Sequence, residues 1–421
     1  MSLLLVTFSL PQLKLTMNKG IFFTGQPIFS QILNFIPRSA VQRIAREHDS
    51  DRYYKSFKTY EHLVTILYSI FNHCYSLREV TTGLLAWDRR IHHLGLDFHP
   101  RRSTIADANE KRSHEVFEKI YHKLVDRYRD FLPDSRNRSC KNNLYIFDST
   151  TITLFQEILK AAGKSAADGK RKGGIKVHTL LHAAKDIPTM IRYSASADND
   201  VKFLKEIRLA RGSVIVFDKG YRDYSTYNRF AEEGITWVSR LVEGTVYRIK
   251  EKKVVNDYQS KKGIKKDWII ELGHTHTKKS THVHGRLIKY YDAVSKKYFE
   301  FITNNEELAP FSIASYYQQR WQIETFFKRI KQNYPLQYFL GDTENAIKIQ
   351  IWCTLIADLL LKVIKKGTNA RIAFSNMVSL VRLHLMTYMD LKNFLRSPEK
   401  SLLKSTKQKQ QRFIKPSLFS P

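Results

Sequence analysis

Residues 144–154, LYIFDSTTITL, and 213–220, SVIVFDKG, decide the fold. Each is a short run of β-branched and aromatic residues, which predicts a strand rather than a helix. Each ends its most apolar part on an acid: Asp148 follows Leu144-Tyr145-Ile146-Phe147, and Asp218 follows Val214-Ile215-Val216-Phe217. Runs of the same character lie around them, GIKVHTLLHAA (174–184), PTMIRYSAS (188–196) and GITWVSRLV (234–242). VKFLKEIRLAR (201–211) and DYSTYNRFAEEG (223–234) instead carry the spacing of amphipathic helices. Three strands in succession, then helix, strand, helix, strand, predict a mixed α/β sheet with helices packed on it.

Outward from this centre the pattern changes twice. Residues 246–302 are rich in Lys, Tyr, Ile and Val and alternate in HGRLIKYYDAV and KKYFEFITN, which predicts an inserted β-rich segment at about 245–303. Pro310 opens one helix through Asn333, closed by Pro335, and residues 344–395 are helical again. On the N-terminal side, QILNFIPRSAVQRIA, SFKTYEHLVTILYSIFNHCYSLREV and HEVFEKIYHKLVDRYRDFL have three- and four-residue apolar spacing, so residues 25–135 read as helices. Pro100 breaks them, with Ser103 or Thr104 as the N-cap of the next helix. The expected units are a helical domain at 17–135, a catalytic core at 140–340, a C-terminal helical region at 341–398 and a basic, disordered tail at 399–421 that includes KSTKQKQQRF.

Charge bounds the partner. Seventy Lys and Arg against forty Asp and Glu leave the 421-residue chain at +30, with enough apolar and aromatic content to fold. So large an excess points to a polyanion, nucleic acid above all, and makes the helical half a candidate DNA-binding domain. Cys74, Cys140 and Cys353 are few and far apart, against a disulfide scaffold or cysteine zinc site. No apolar run approaches the roughly 20 residues of a membrane span. The opening MSLLLVTFSL lacks a basic n-region and is not read as a signal peptide; Met17 is an alternative start.

Carboxylates at the ends of buried strands are costly unless paired or bound to a cation. Two such aspartates with a helix glutamate form the oxygen cage that Mg²⁺ or Mn²⁺ takes in phosphodiester chemistry, with two ions about 3.5 to 4 Å apart activating the attacking oxygen and stabilising the leaving one. The glutamate is found in SIASYYQQRWQIETFFKRIKQN (312–333). Tyr317, Arg320, Glu324 and Lys331 fall within roughly 60° of arc at about 100° per residue, a polar stripe expected to look outward along the sheet edge. Ile323, Phe326, Phe327 and Ile330 make the apolar stripe that packs on the sheet. An Arg320–Glu324 pair at i, i+4 on a solvated face would look the same in isolation.

The pattern Tyr317-x2-Arg320-x3-Glu324-x6-Lys331 resembles the signature of the DDE transposases of bacterial insertion sequences, in the group named for insertion sequence family four. YIFDST around Asp148 and VFDKGYRDY around Asp218 are similar to that family's first two acidic motifs, and SLREV (76–80) and RRSTIADANEKR (101–112) resemble its N-terminal region. The resemblance spans about residues 25–395. It implies an RNase H-like core, a metal-binding catalytic triad of Asp148, Asp218 and Glu324, and contacts from Tyr317, Arg320 and Lys331 to the DNA backbone near the cut. It also implies two Mg²⁺ ions with Mn²⁺ as a substitute, double-stranded DNA partners (transposon ends and target), a homodimer on DNA, no small-molecule substrate, a place in the bacterial cytoplasm at the nucleoid, and cut-and-paste transposition, usually through a hairpin. A nuclease without strand transfer and an inactive DNA-binding relative are the rival readings.

Other features point less sharply. Lys219, Tyr221 and Arg222 follow Asp218 and are placed to touch DNA, or to neutralise the acids. Lys170, Arg171, Lys172 and Lys176 flank Gly173-Gly174, either a phosphate-contacting loop or a solvated turn. His178 and His182 read as structural. His274-x-His276 and His282-x-His284 each share a strand face and could bind a transition metal, with no Cys or carboxylate in support. Trp237 and Trp268 lie where some relatives use a tryptophan to fill the gap left by a flipped base, but match no motif.

Overall fold

The computed structural model describes residues 25–129, 131–132, 143–153, 174–195, 201–273 and 281–402. The helical N-terminal part comprises α1 (Ile28–Leu33), α2 (Arg38–Glu47), α3 (Thr59–Asn72), α4 (Leu77–Leu85), a 3₁₀ turn (Asp88–Leu94), α5 (Arg102–Lys111) and α6 (His114–Tyr128). α5 begins earlier than expected. Arg101, in extended conformation after Pro100, is its N-cap, and its carbonyl accepts from Ile105 N–H, so neither Ser103 nor Thr104 caps it.

The chain then builds one mixed sheet from β1 (Leu144–Thr153), β2 (Gly174–His182), β3 (Ile187–Ala195), β4 (Val214–Phe217), β5 (Thr236–Arg240), β6 (Tyr247–Lys252), β7 (Ile264–Leu272), β8 (Val283–Asp292) and β9 (Lys297–Thr303). Its order is β3-β2-β1-β4-β5-β9-β8-β7-β6. β1 and β4 are parallel, as are β4 and β5; β2 and β3 are joined antiparallel on one side, and β9 joins β5 antiparallel on the other. The expected insertion therefore continues the sheet instead of standing apart from it. Gly174, first residue of β2, is required by close approach: a Cβ there would lie 2.6 Å from Thr151 and 2.8 Å from the Ile152 carbonyl.

Strand alternation sends successive side chains to two cores. Leu144, Ile146, Val214, Val216 and Val238 join one; Phe147, Ile215, Phe217 and Trp237 join the other. β4 is buried at every position, as a central parallel strand covered on both faces must be. The second face is covered by α7 (Val201–Leu204) and α8 (Tyr224–Glu232). α7 is a single turn, not the helix expected over 201–211: Lys205, Glu206 and Ile207 donate to carbonyls three residues back, which tightens the turn and ends it. Within the insertion, α9 (Asp257–Lys261) joins β6 to β7.

On the first face lie α10 (Pro310–Gln318), α11 (Trp321–Asn333), α12 (Glu344–Thr368), α13 (Phe374–Leu383) and α14 (Leu391–Arg396). The single helix expected from Pro310 to Asn333 is broken at Gln319-Arg320, where Arg320, Gln322 and Ile323 donate to carbonyls three residues back. α12 is the hub. It packs on α3, α5 and α6 and shares one continuous core with them and with the sheet, so the N- and C-terminal helices close a common interior. Residues 398–402 are helical and Ser401 is buried, so the expected tail boundary at 399 falls too early; residues 403–421 lie outside the described residues. No helix among the described residues is long and apolar enough to cross a membrane.

A buried charge network fixes α11 to this hub. Asp358 of α12 accepts from Arg329 at 3.4 Å and pairs with Lys362 at 3.1 Å, and both cations also reach Asp186 in the β2–β3 turn, at 2.6 and 2.9 Å. Burial works against the charge on Asp358, yet Arg329 and Lys362 outweigh it and hold the carboxyl below its usual range. Its contribution is therefore complete above the unfolded carboxyl value of about 3.9 and is lost as pH falls through the lower folded value. Asp358→Ala, which leaves Arg329 and Lys362 with Asp186 as their one remaining carboxylate, should cost about 3 kcal/mol in urea unfolding at pH 7. The deficit against the parent chain should shrink below pH about 4; a constant deficit would show that Asp358 is not the titrating group.

Candidate active site

The pairing of β1 with β4 places the first two acids. Their ladder runs from Leu144↔Val214 to Phe147↔Phe217 and stops there, so Asp148 and Asp218 are the next residue on each strand. Asp148 is not at a strand end, because β1 continues to Thr153 on its β2 side; it sits where β1 loses its parallel partner. Asp148 is two residues beyond Ile146 and Asp218 two beyond Val216, so alternation turns both toward the face that carries α10 and α11.

Those helices bring the rest. The Tyr317 hydroxyl, at the end of α10, donates to Asp218 Oδ1 at 3.1 Å, and its ring lies on Phe301 of β9. Arg320, at the break between the helices, donates from Nη1 to Asp148 Oδ2 at 3.0 Å and from Nη2 to Glu324 Oε1 at 2.7 Å. Lys331, two turns further on, donates to Thr150 Oγ1 at 2.7 Å and the Thr151 carbonyl at 2.9 Å. The stripe expected to look outward instead lies over the strand ends, because the apolar stripe of Ile323, Phe326 and Ile330 seats α11 there. Six of the singled-out residues, Asp148, Asp218, Tyr317, Arg320, Glu324 and Lys331, thus share one locus.

Its electrostatics are strained. Burial pushes the Asp148 carboxyl up to about 6, with Asp218 and Glu324 adding to the rise and the Ser149 N–H and Arg320 opposing it. Burial raises the Tyr317 hydroxyl too, with Asp218 adding, so it stays a donor. Burial disfavours the charge on Arg320, but Tyr317, Glu324 and Asp148 overcome it and raise its pKa. Burial lowers the Lys331 ammonium.

The Transposase DDE domain family matches residues 139–360, more than half of the chain, and this stretch contains all six residues. The chain belongs to the DDE transposase family. Relatives of this transposase include the putative transposase y4zB of Sinorhizobium fredii, 26% identical over 63% of this chain and 71% of the relative, and the probable transposase for insertion sequence element IS5377 of Geobacillus stearothermophilus, 29% identical over 56% and 61%. The putative transposase for insertion sequence element IS4SA of Synechocystis is 26% identical over 62% and 71%. Residues 24–97 match a domain of unknown function, DUF4372.

The other residues singled out in the transposase are placed less uniformly. Lys219 and Arg222 are exposed just beyond Asp218. Tyr221 is buried with its ring 4.9 Å from Phe147, so it belongs to the core and the expectation that it touches DNA is replaced. Lys176 is half-buried opposite Thr151; Lys172 lies outside the described residues, as do Lys170 and Arg171. His178 is fully buried between Phe147 and Phe203, and His284 bonds Glu306 rather than a second histidine; His274 and His276 lie outside the described residues. Trp237 is fully buried against Tyr227 and cannot meet a base, whereas Trp268 is half-buried beneath Lys252 and Lys266. Arg240 was missed. Polar Ser239 separates it from Trp237-Val238, so no run points to it; it lies two residues past Val238, as Asp218 lies two past the paired Val216, and its charge acts on Tyr317.

Among the described residues no three acidic, histidine or cysteine side chains are drawn tightly enough together to hold an ion, since the Arg320 guanidinium stands between Asp148 and Glu324. The donor chemistry nonetheless fits a hard divalent cation: three carboxylates and no sulfur, with Asp148 raised first by burial and then by its two acidic neighbours. Arg320→Ala should cost about 2–3 kcal/mol in urea unfolding, since two charge-assisted bonds are lost at a mostly buried site. Asp148→Asn in the same chain should return about 1 kcal/mol of that by relieving the exposed acid cluster. Strict additivity of the two changes would mean that Arg320 and Asp148 are not coupled.

Proposed function

We propose that this transposase binds the terminal inverted repeats of its insertion sequence, cuts the DNA ends and joins them to target DNA in metal-dependent cut-and-paste transposition, as a member of the family-four group. The observation that carries the proposal is the convergence of Asp148, Asp218 and Glu324 on one half-buried point, with Tyr317, Arg320 and Lys331 around it. The order β3-β2-β1-β4-β5, antiparallel on one side and parallel on the other, with acids on the two central strands, supports an RNase H-like core. The net charge of +30 supports double-stranded DNA as the partner.

Asp148, Asp218 and Glu324 would hold Mg²⁺, as two ions, or Mn²⁺ in its place. The bound metal supplies Lewis-acid stabilisation of phosphate oxygens and a water or 3′-hydroxyl activated at neutral pH. The chain's own residues orient the reactants. Tyr317 fixes the Asp218 carboxylate through its hydroxyl. Arg320 holds Asp148 and Glu324 at a set separation, and its planar fork suits a phosphate as well as two carboxylates. Lys331, Lys176, Lys219 and Arg222 supply cationic side chains for the DNA backbone. Because cleavage and joining are both in-line displacements at phosphorus, one site serves both, and a homodimer brings two ends to one target.

Asp148→Asn, Asp218→Asn and Glu324→Gln should each reduce Mg²⁺-dependent nicking and joining of a duplex carrying the element's terminal repeat by at least about 10³-fold, as loss of the main electrostatic stabilisation does. Gel-shift affinity for the same duplex should stay within a few-fold. Normal cutting by any one variant would remove that residue from the triad, and cutting unaffected by EDTA would remove the metal.

A further inference from the structure

The insertion makes one buried contact that DNA binding does not require. Arg286, in the middle of β8, and Asp267, in β7, are diagonal neighbours across the ladder: Arg286 lies opposite Ile269, and Asp267 opposite Ile288. Each side chain is only 4% exposed. The guanidinium donates from Nε and Nη2 to the two Asp267 carboxylate oxygens, both at 2.7 Å. That leaves Nη1, which donates to the carbonyls of Leu308 at 2.6 Å, Glu306 at 3.0 Å and Asn305 at 3.4 Å.

Those carbonyls belong to residues 304–309, the link between β9 and Pro310 at the start of α10. The link is held from the other side as well. Asn304 accepts from the Trp237 N–H and donates to the Ile235 carbonyl, and Asn305 donates to Thr236, all at β5. Lys253 Nζ and His284 of the insertion add contacts to Glu306. A mid-strand arginine with no solvent access is an expensive way to fill a core, and an apolar pair would stabilise the sheet as well or better. What an apolar pair cannot do is satisfy three link carbonyls at once.

We propose that Arg286, oriented by Asp267, is a positioning residue that sets the launch angle of α10 and so the placing of Tyr317 and Arg320 and, through the Arg320 bond, of Glu324. The proposal rests on the reading of those residues as the active site. The insertion is then a brace for the reaction centre in addition to any surface it offers to DNA. Tyr317 lies about 10 Å along α10 from Pro310, so a tilt of about 5° at the link displaces it by about 1 Å. A displacement of about 1 Å can cost about 100-fold in rate.

The test uses the full chain and a duplex carrying the element's terminal repeat with Mg²⁺, and measures melting temperature, gel-shift affinity and the single-turnover cleavage rate at saturating protein. The double variant Asp267→Leu/Arg286→Met replaces the pair by apolar side chains. It is expected to fold and to bind the ends like the parent chain, while cleaving at least tenfold more slowly. Arg286→Lys, which keeps the charge but not the fork, is expected to fall between the two. A folded double variant that cleaves at the parental rate overturns the proposal. Should the double variant fail to fold, Arg286→Lys decides by the same split: a slower rate at unchanged affinity supports the positioning role, and an unchanged rate overturns it. Glu324→Gln runs alongside. If it cleaves normally the site reading itself has failed, whereas an inactive Glu324→Gln beside fully active Arg286 variants condemns the brace alone.

Discussion

Four residue pairs of parallel ladder between β1 and β4 set everything around the site. Because both strands pack against a core on each face at these pairs, their register is fixed by two cores at once, and a slip of one residue would carry Val214 and Val216 into the wrong interior. The ladder ends at Phe147 and Phe217, so the following acids emerge side by side, on the same face, with no freedom to separate. Helices α10 and α11 need only lie across that end to complete the constellation.

Burying an acid has a cost, and its acidic neighbours add to it, as the elevated Asp148 carboxyl shows. The chain offsets it with Arg320, one guanidinium spanning two carboxylates, and with the Tyr317 hydroxyl on the third. The break at Gln319-Arg320 makes this possible: it swings Arg320 inward between the two helices, where an unbroken cylinder would keep it on an outer stripe. The same economy governs the scaffold. Arg329 and Lys362 meet Asp186 and Asp358 where α11 crosses α12, and Arg286 meets Asp267 where the insertion meets the link to α10. Charged groups are buried at the joints between elements, where direction matters more than area.

Much of this was legible in the residues. The central strands announced themselves because a strand covered on both faces must be apolar at consecutive positions, and an acid that interrupts such a run has few innocent explanations. The spacing of Tyr317, Arg320, Glu324 and Lys331 singled out four residues that the structure brings over the strand ends. What stayed hidden depends on partners far along the chain. Nothing local in KKYFEFITN says that β9 will pair with β5, so the insertion read as a separate segment. Periodicity runs through Gln319-Arg320 undisturbed, so the helix break left no mark. No local pattern pairs Arg286 with Asp267 or Arg329 with Asp358; only the packed structure shows that they face one another. Tyr221 misled for the opposite reason, because a motif position beside an acid can serve the core.

The way the first and last described helices are fastened has a consequence for synthesis. The amides of Ile28 and Phe29 donate to the carbonyls of Thr387 and Leu385, and Gln31 exchanges bonds with Met389 and Leu391. α3 and α6, made early, bury their apolar sides against α12, made late. A ribosome delivering this chain therefore releases α1 long before its covering exists, and α1 must wait, partly wetted, for some 350 further residues (358 separate Gln31 from Met389). A product terminated early keeps its basic helices but not their common interior, and so offers the cell an unfinished, degradable surface in place of a working enzyme.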